Sequence, residues 1–144
     1  MTTLCATEFK PEVDPRNGAR SGNWFFALPS GLEVLVRGNV SGPLQRDIDQ
    51  AIAVLANLDQ LQQRAVGLLE DFMKETGEWS LAIVDCGVKA EKLECNFVIT
   101  LDFEGSEDSY KHGYTYFDVC FAVHERTHPN DRNGRPIKFV VGFH

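Results

Sequence analysis

Apolar residues change their period along this chain, and each change predicts a new kind of element. Trp24 to Leu28 is one apolar run, Pro29-Ser30-Gly31 interrupts it, and Leu32, Val34 and Val36 then alternate with Glu33, Leu35 and Arg37. Two such runs around a proline–glycine turn predict a β-hairpin whose second strand buries one face. From Pro43 to Thr76 the period becomes helical. Leu44, Ile48, Ala51, Ile52 and Leu55 recur at three- and four-residue spacing, as do Leu61, Ala65, Leu68, Leu69 and Phe72. That is the buried stripe of two amphipathic helices. Pro43 suits a first helical turn, Asn57 to Asp59 suits a break with Asp59 capping the second helix, and Gly77 suits a stop.

The period returns to two over Glu78 to Phe103. If Lys89 to Lys92 form a four-residue loop, Val88 faces Leu93, and the register places Cys86 opposite Cys95, Val84 opposite Phe97, Ala82 opposite Ile99 and Ser80 opposite Leu101. One face is then almost wholly apolar, with the two thiols as small core residues. The other face carries Asp85, Asn96, Thr100 and Asp102. A final hairpin follows: Phe117, Val119, Phe121 and Val123 alternate with polar neighbours, and Ile137, Phe139, Val141 and Phe143 form the return face across an Asn133-Gly134 turn.

These elements predict an α+β fold. An antiparallel sheet of about six strands, ordered β-β-α-α-β-β-β-β, carries a helical pair on one face. Residues 1–22, with Pro11, Pro15, Gly18 and Gly22 and few large apolar side chains, read as an irregular N-terminal arm, and 23–144 as a single domain.

Composition narrows the function classes. The 144 residues are 43% hydrophobic and 24% charged, which fits an ordinary globular domain, and the formal net charge is −7. Nucleic acid is a poor partner for such a chain, because phosphate neutralisation needs clustered Lys and Arg. Eleven acids between Glu70 and Asp108 stand against Lys74, Lys89 and Lys92, which reads as a solvated face or a surface for a basic partner. Cys5, Cys86, Cys95 and Cys120 show neither C-x-x-C nor zinc-finger spacing. With no secretory leader pattern and no membrane-length apolar run, they predict a cytoplasmic protein with reduced thiols and no membrane partner.

One string carries specific chemistry. His124-Glu125-Arg126-Thr127-His128 fits H-E-x-x-H, in which a helix sets two imidazoles on one zinc ion and the glutamate acts as general base. Here the preceding Tyr114 to Val123 alternates as a strand does, and a strand holds His124 and His128 roughly 13 Å apart at ~3.3 Å per residue. Pro129 biases His128 away from helical geometry. No metzincin continuation follows; Asp131 and His144 are the remaining third ligands. The alternative is a helix from Asp118 to Thr127 with a zinc site at His124 and His128 and Glu125 as the base.

In the strand reading Tyr114, Tyr116, Asp118, Cys120, His124 and Arg126 share one face, and Tyr114, Tyr116, His124 and Arg126 form a candidate binding surface. The bland reading is edge-covering tyrosines beside solvated His124 and Arg126. Arg37 and Ser41 ahead of a helix could hold an anion. Asp102, Glu104 and Asp108 lack the order of a calcium loop. The leading expectation is a non-enzymatic chain that works by binding another protein, in a regulatory, accessory or toxin-neutralising role, with no cofactor and with homo-oligomerisation allowed. A zinc-dependent hydrolase is the alternative, and a small-ligand site between helices and sheet a second.

Overall fold

A computed structural model describes residues 4–73, 77–105, 115–123 and 134–143 of this chain. After a 3-10 turn at Ala6–Glu8 come β1 (Lys10–Val13), β2 (Arg20–Ala27), β3 (Glu33–Asn39) and β4 (Gly42–Pro43). Then follow α1 (Gln45–Ala56), α2 (Leu58–Glu70), β5 (Gly77–Cys86), the short α3 (Val88–Lys92), β6 (Phe97–Gly105), β7 (Thr115–Ala122) and β8 (Arg135–Phe143). The fold is α+β. Among the described residues eight strands make one sheet in the order β1-β2-β3-β5-β6-β7-β8, with β4 paired to β3 off that path.

The expected hairpins form. β2 and β3 pair antiparallel with Phe26 opposite Val34, and β7 and β8 pair with Phe117 opposite Val141 and Val119 opposite Phe139. The helical pair covers one sheet face, and the layer between is filled. Ile48, Ala51, Leu61, Ala65 and Leu69 from the helices, and Val34, Val36, Val84, Phe97, Ile99, Leu101, Val119 and Phe121 from the sheet, are all 0% exposed. A ligand-sized gap would leave accessible surface on such walls, so these side chains are packing partners, not cavity lining.

Several expectations need correction. The sheet has more than six strands: β1 lies inside the stretch read as an irregular arm, and β4 adds a short pair. β1 leaves a weak signal in the sequence because it has only four residues and an irregular register between Pro11 and Val13, while the buried apolar residues beside it, Leu4 and Phe9, precede it. β3 and β5 pair in parallel, Val34 beside Val84, which the two-helix crossover between them permits. Pro43 sits in β4 rather than in the first turn of α1. α2 ends at Glu70 and Gly77 opens β5, so Phe72 leaves the helical period and is 67% exposed instead of buried. Asn57, not Asp59, stands at the junction ahead of α2.

The β5–β6 register also differs. Val84 pairs with Ile99 and Asp85 with Val98, because the connection is a short helix and not a four-residue loop. An irregularity between Leu81 and Ile83 then shifts the pairing to Ser80 opposite Asp102. Cys86 therefore lies beside Val36 on the helix-covered side, and Cys95 lies in the turn after α3. They are not cross-strand neighbours.

Candidate functional site

Of the four candidate binding residues and the His124–His128 string, Tyr116 is described. Tyr114, His124, Glu125, Arg126 and His128 lie outside the described residues, as does Asn133 of the expected turn. Asp118 to Ala122, the first half of the alternative helix, are strand residues in β7. Tyr116 sits opposite Gly142 on the face away from the helical pair, and its ring crosses the space that a Gly142 side chain would occupy. Glycine at 142 thus lets an aromatic from the neighbouring strand cover the edge strand's backbone. Gly134 does a related job at the start of β8: φ is +137°, and a Cβ there would meet the Phe97 ring at 2.8 Å. Phe97 in turn stacks on Phe121 with centroids 4.9 Å apart.

The sheet face opposite α1 and α2 holds buried polar groups at one end. Asp85, Thr100 and Asp118 are buried there, and α3 lies over them. The Asp85 Oδ1 accepts the backbone N–H of Gly87 at 2.8 Å and of Ala90 at 3.3 Å, so it caps a helix whose own N-cap, Gly87, has no side chain to offer. Asn23 Oδ1 accepts the N–H of Val88 at 2.9 Å. Asp118 accepts Thr100 Oγ1–H at 2.6 Å and pairs with Lys89 Nζ at 3.2 Å. Burial pushes the Asp85 carboxyl above the usual aspartate range, against the two amide donors and Lys89 that favour its charged form. Among the described residues these partners belong to α3, its N-cap Gly87 or a neighbouring strand, so the cluster fastens α3 to the sheet.

Arg37 is spent in the same way. Its Nε and Nη2 donate to Asp47 at 2.9 and 3.0 Å, and its Nη1 donates to Glu91 at 3.2 Å. The carboxylate of Asp47 drives the guanidinium pKa up. Arg37, the cation of the expected anion site, thus holds the fold's own carboxylates instead, while Ser41 donates its backbone N–H to Asn39 Oδ1 at 2.8 Å. Among the described residues no three His, Cys, Asp or Glu side chains gather as a metal-binding group, and no buried side-chain nitrogen or oxygen lacks a partner.

All four cysteines are free, and Cys5 is exposed. Cys95 packs against Cys120, Ala90 and Val98 beneath α3, so its thiol neighbour is Cys120 rather than Cys86. Burial raises the thiol pKa of Cys86 and Cys120, and burial with the adjacent Cys120 pushes Cys95 up to about 12. Thiols held protonated in this way are poor nucleophiles.

Among the described residues, the feature that the fold leaves uncommitted is an edge. β1 and β8 end the sheet among the described residues. The β1 edge is protected by its four-residue length, Lys10, Pro11, Glu12 and an irregular register. β8 runs for nine residues, and its protection is confined to the start: Pro136, Lys138 and an irregular register around Ile137. From Phe139 to Phe143 there is no charge and no proline. Ile137, Val140 and Val141 are 47%, 43% and 41% exposed. Phe72, beyond the end of α2, stands edge-on to Phe139 with centroids 5.3 Å apart. Apolar surface therefore runs from both faces of β8 up onto the margin of the helical layer.

Sequence periodicity marks Ile137, Phe139 and Val141 as a buried return face; Phe139 does pack against the core, while Ile137 and Val141 stay exposed. The run Phe-Val-Val-Gly-Phe at 139–143, apolar on both faces, was the available sign of an open edge. No protein-family model, no curated protein and no solved structure matches this chain.

Proposed function

We propose that this chain is a non-enzymatic, partner-binding protein of the cytoplasm, regulatory, accessory or toxin-neutralising in kind, and that its partner adds a strand to the edge of β8. The observation that carries the reading is the stretch Phe139–Phe143, free of charge and proline, which holds exposed Val140 and Val141 and lies beside exposed Phe72. A strand edge offers a row of backbone donors and acceptors, and alternate apolar side chains add selectivity to a pairing that the backbone drives. The polar side chains described above are engaged in fastening α3 and α1 to the sheet, which fits a scaffold presenting a surface. Four free cysteines accord with a reducing compartment. Among the described residues no helix is long and apolar enough to cross a membrane.

The test is capture from a lysate of the source cells on immobilised wild type, Val140→Lys and Val13→Lys. Both valines are exposed strand residues, one on each edge. The expected result is a retained protein that Val140→Lys loses and Val13→Lys keeps. Equal retention by all three would remove β8 as the contact.

A further inference from the structure

We infer that the strand added to β8 is the β8 of a second copy of this chain, paired antiparallel across a two-fold axis normal to the sheet. The inference rests on β8 being the binding edge and names its occupant. Three observations carry it.

The first is that the uncovered surface spans two layers. A lone peptide strand would cover the edge of β8 but leave Phe72 standing above it. A second copy brings its own sheet edge and its own α2 margin at the same height, so Val141 and Phe72 meet apolar surface in both layers. Such an interface is isologous: the same patch serves both sides.

The second is register. A two-fold axis normal to the sheet keeps both helical pairs on one side and sets only same-face residues opposite each other. With Val140 on the axis, Val140 faces Val140 of the second copy and Phe139 faces its Val141. Phe139 and Val141 are helix-side residues paired with Val119 and Phe117, and Val140 is on the other face beside Asp118.

The third is charge. Arg135 and Lys138 are the charged residues of β8. In this register Lys138 lies opposite Gly142 of the second copy, where the Tyr116 ring crosses the strand. Its ammonium then meets an aromatic face. The two Lys138 side chains stand four residues apart along the strand, roughly 14 Å at ~3.4 Å per residue. That exceeds the screening length of about 8 Å at physiological salt, so the two copies are not driven apart at the seam.

The mass of the purified full chain, followed by light scattering or sedimentation over a range of concentrations, tests this. Wild type is expected at twice the chain mass. Val140→Lys sets two ammonium groups face to face and removes two buried valines, which weakens self-association by about 100-fold or more. Phe72→Glu, outside the sheet, weakens it too, and Val13→Lys leaves it intact. In a Cys5→Ser background, Val140→Cys is expected to cross-link to its mate with a short bis-maleimide, and Lys138→Cys is not.

A monomeric wild type at every concentration overturns the inference, as does a dimer indifferent to both Val140→Lys and Phe72→Glu, or a Lys138→Cys variant that cross-links as fast as Val140→Cys. If wild type is monomeric while Val140→Lys still loses a captured protein, the second copy is wrong and the β8 edge stands. If edge variants change neither mass nor capture, both are wrong.

Discussion

Asp85 separates two costs that usually come together: a buried charge and a buried unpaired amide. It is 1% exposed, and both amides it serves, those of Gly87 and Ala90, belong to buried residues. Asp85→Ala leaves the two N–H groups without an acceptor, at about 1–3 kcal/mol each. Against this stands relief of a carboxylate that burial already disfavours. The net loss expected for alanine is about 2 kcal/mol, a fall in Tm of roughly 6–8 °C for a chain of this size. Asp85→Asn keeps an oxygen in the Oδ1 position and discards the charge, so at neutral pH it should lie within about 1 kcal/mol of wild type, on the stabilising side.

The pH dependence has a definite sign. The folded-state pKa is raised, so between the ordinary aspartate value and the raised one the folded chain holds a proton that the unfolded chain has released. The contribution is complete below the ordinary value and is lost as pH rises through the raised one. Wild type should therefore gain on Asp85→Asn as pH falls from neutrality. Urea unfolding followed by the fluorescence of Trp24 and Trp79, at neutral and mildly acidic pH, measures all three proteins. If asparagine is as damaging as alanine, or if the gap between wild type and asparagine widens in favour of asparagine on acidification, the capping argument fails.

Three further outcomes follow from the same packing. Gly142→Ala drives a methyl group into the Tyr116 ring and should cost about 1–3 kcal/mol, and adding Tyr116→Ala should recover part of the loss in thermal melts; an additive double variant would contradict the contact. Thr100→Val removes the 2.6 Å hydrogen bond to buried Asp118 and should cost about 1.5–3 kcal/mol, whereas Thr100→Ser should stay within about 1 kcal/mol of wild type in denaturant unfolding. A thiol reagent at pH 8 should label Cys5 rapidly and Cys86, Cys95 and Cys120 slowly until the chain is denatured; fast labelling of a second thiol in the native state would refute the burial assigned to it.

What the sequence made legible tracks how strongly burial writes a period. α1 and α2 announce themselves because Ile48, Ala51, Leu61, Ala65 and Leu69 each meet the sheet, and the faces of β7 and β8 do so because Phe117 and Val119 face Val141 and Phe139. The β5–β6 register was illegible because alternation gives the face of a residue but not its opposite number. A four-residue loop gives one register, and Val88–Lys92 instead folds into a helix held by Asp85, Asn23 and Lys89. Those three polar residues carried no visible purpose in a strand pattern, since their partners are backbone amides and an aspartate on β7. The β8 edge was hidden for a related reason. Val140 and Val141 alternate as any inner strand would, and the pattern of one strand does not tell whether a neighbour lies on its far side. Only the strand order shows that β8 ends the sheet. The contrast with β1 then gives that position meaning: one edge of the same sheet is short, charged and broken by proline, while the other is left apolar for five consecutive residues. A fold that protects one edge and leaves the other apolar supports the proposal that pairing at β8 serves function.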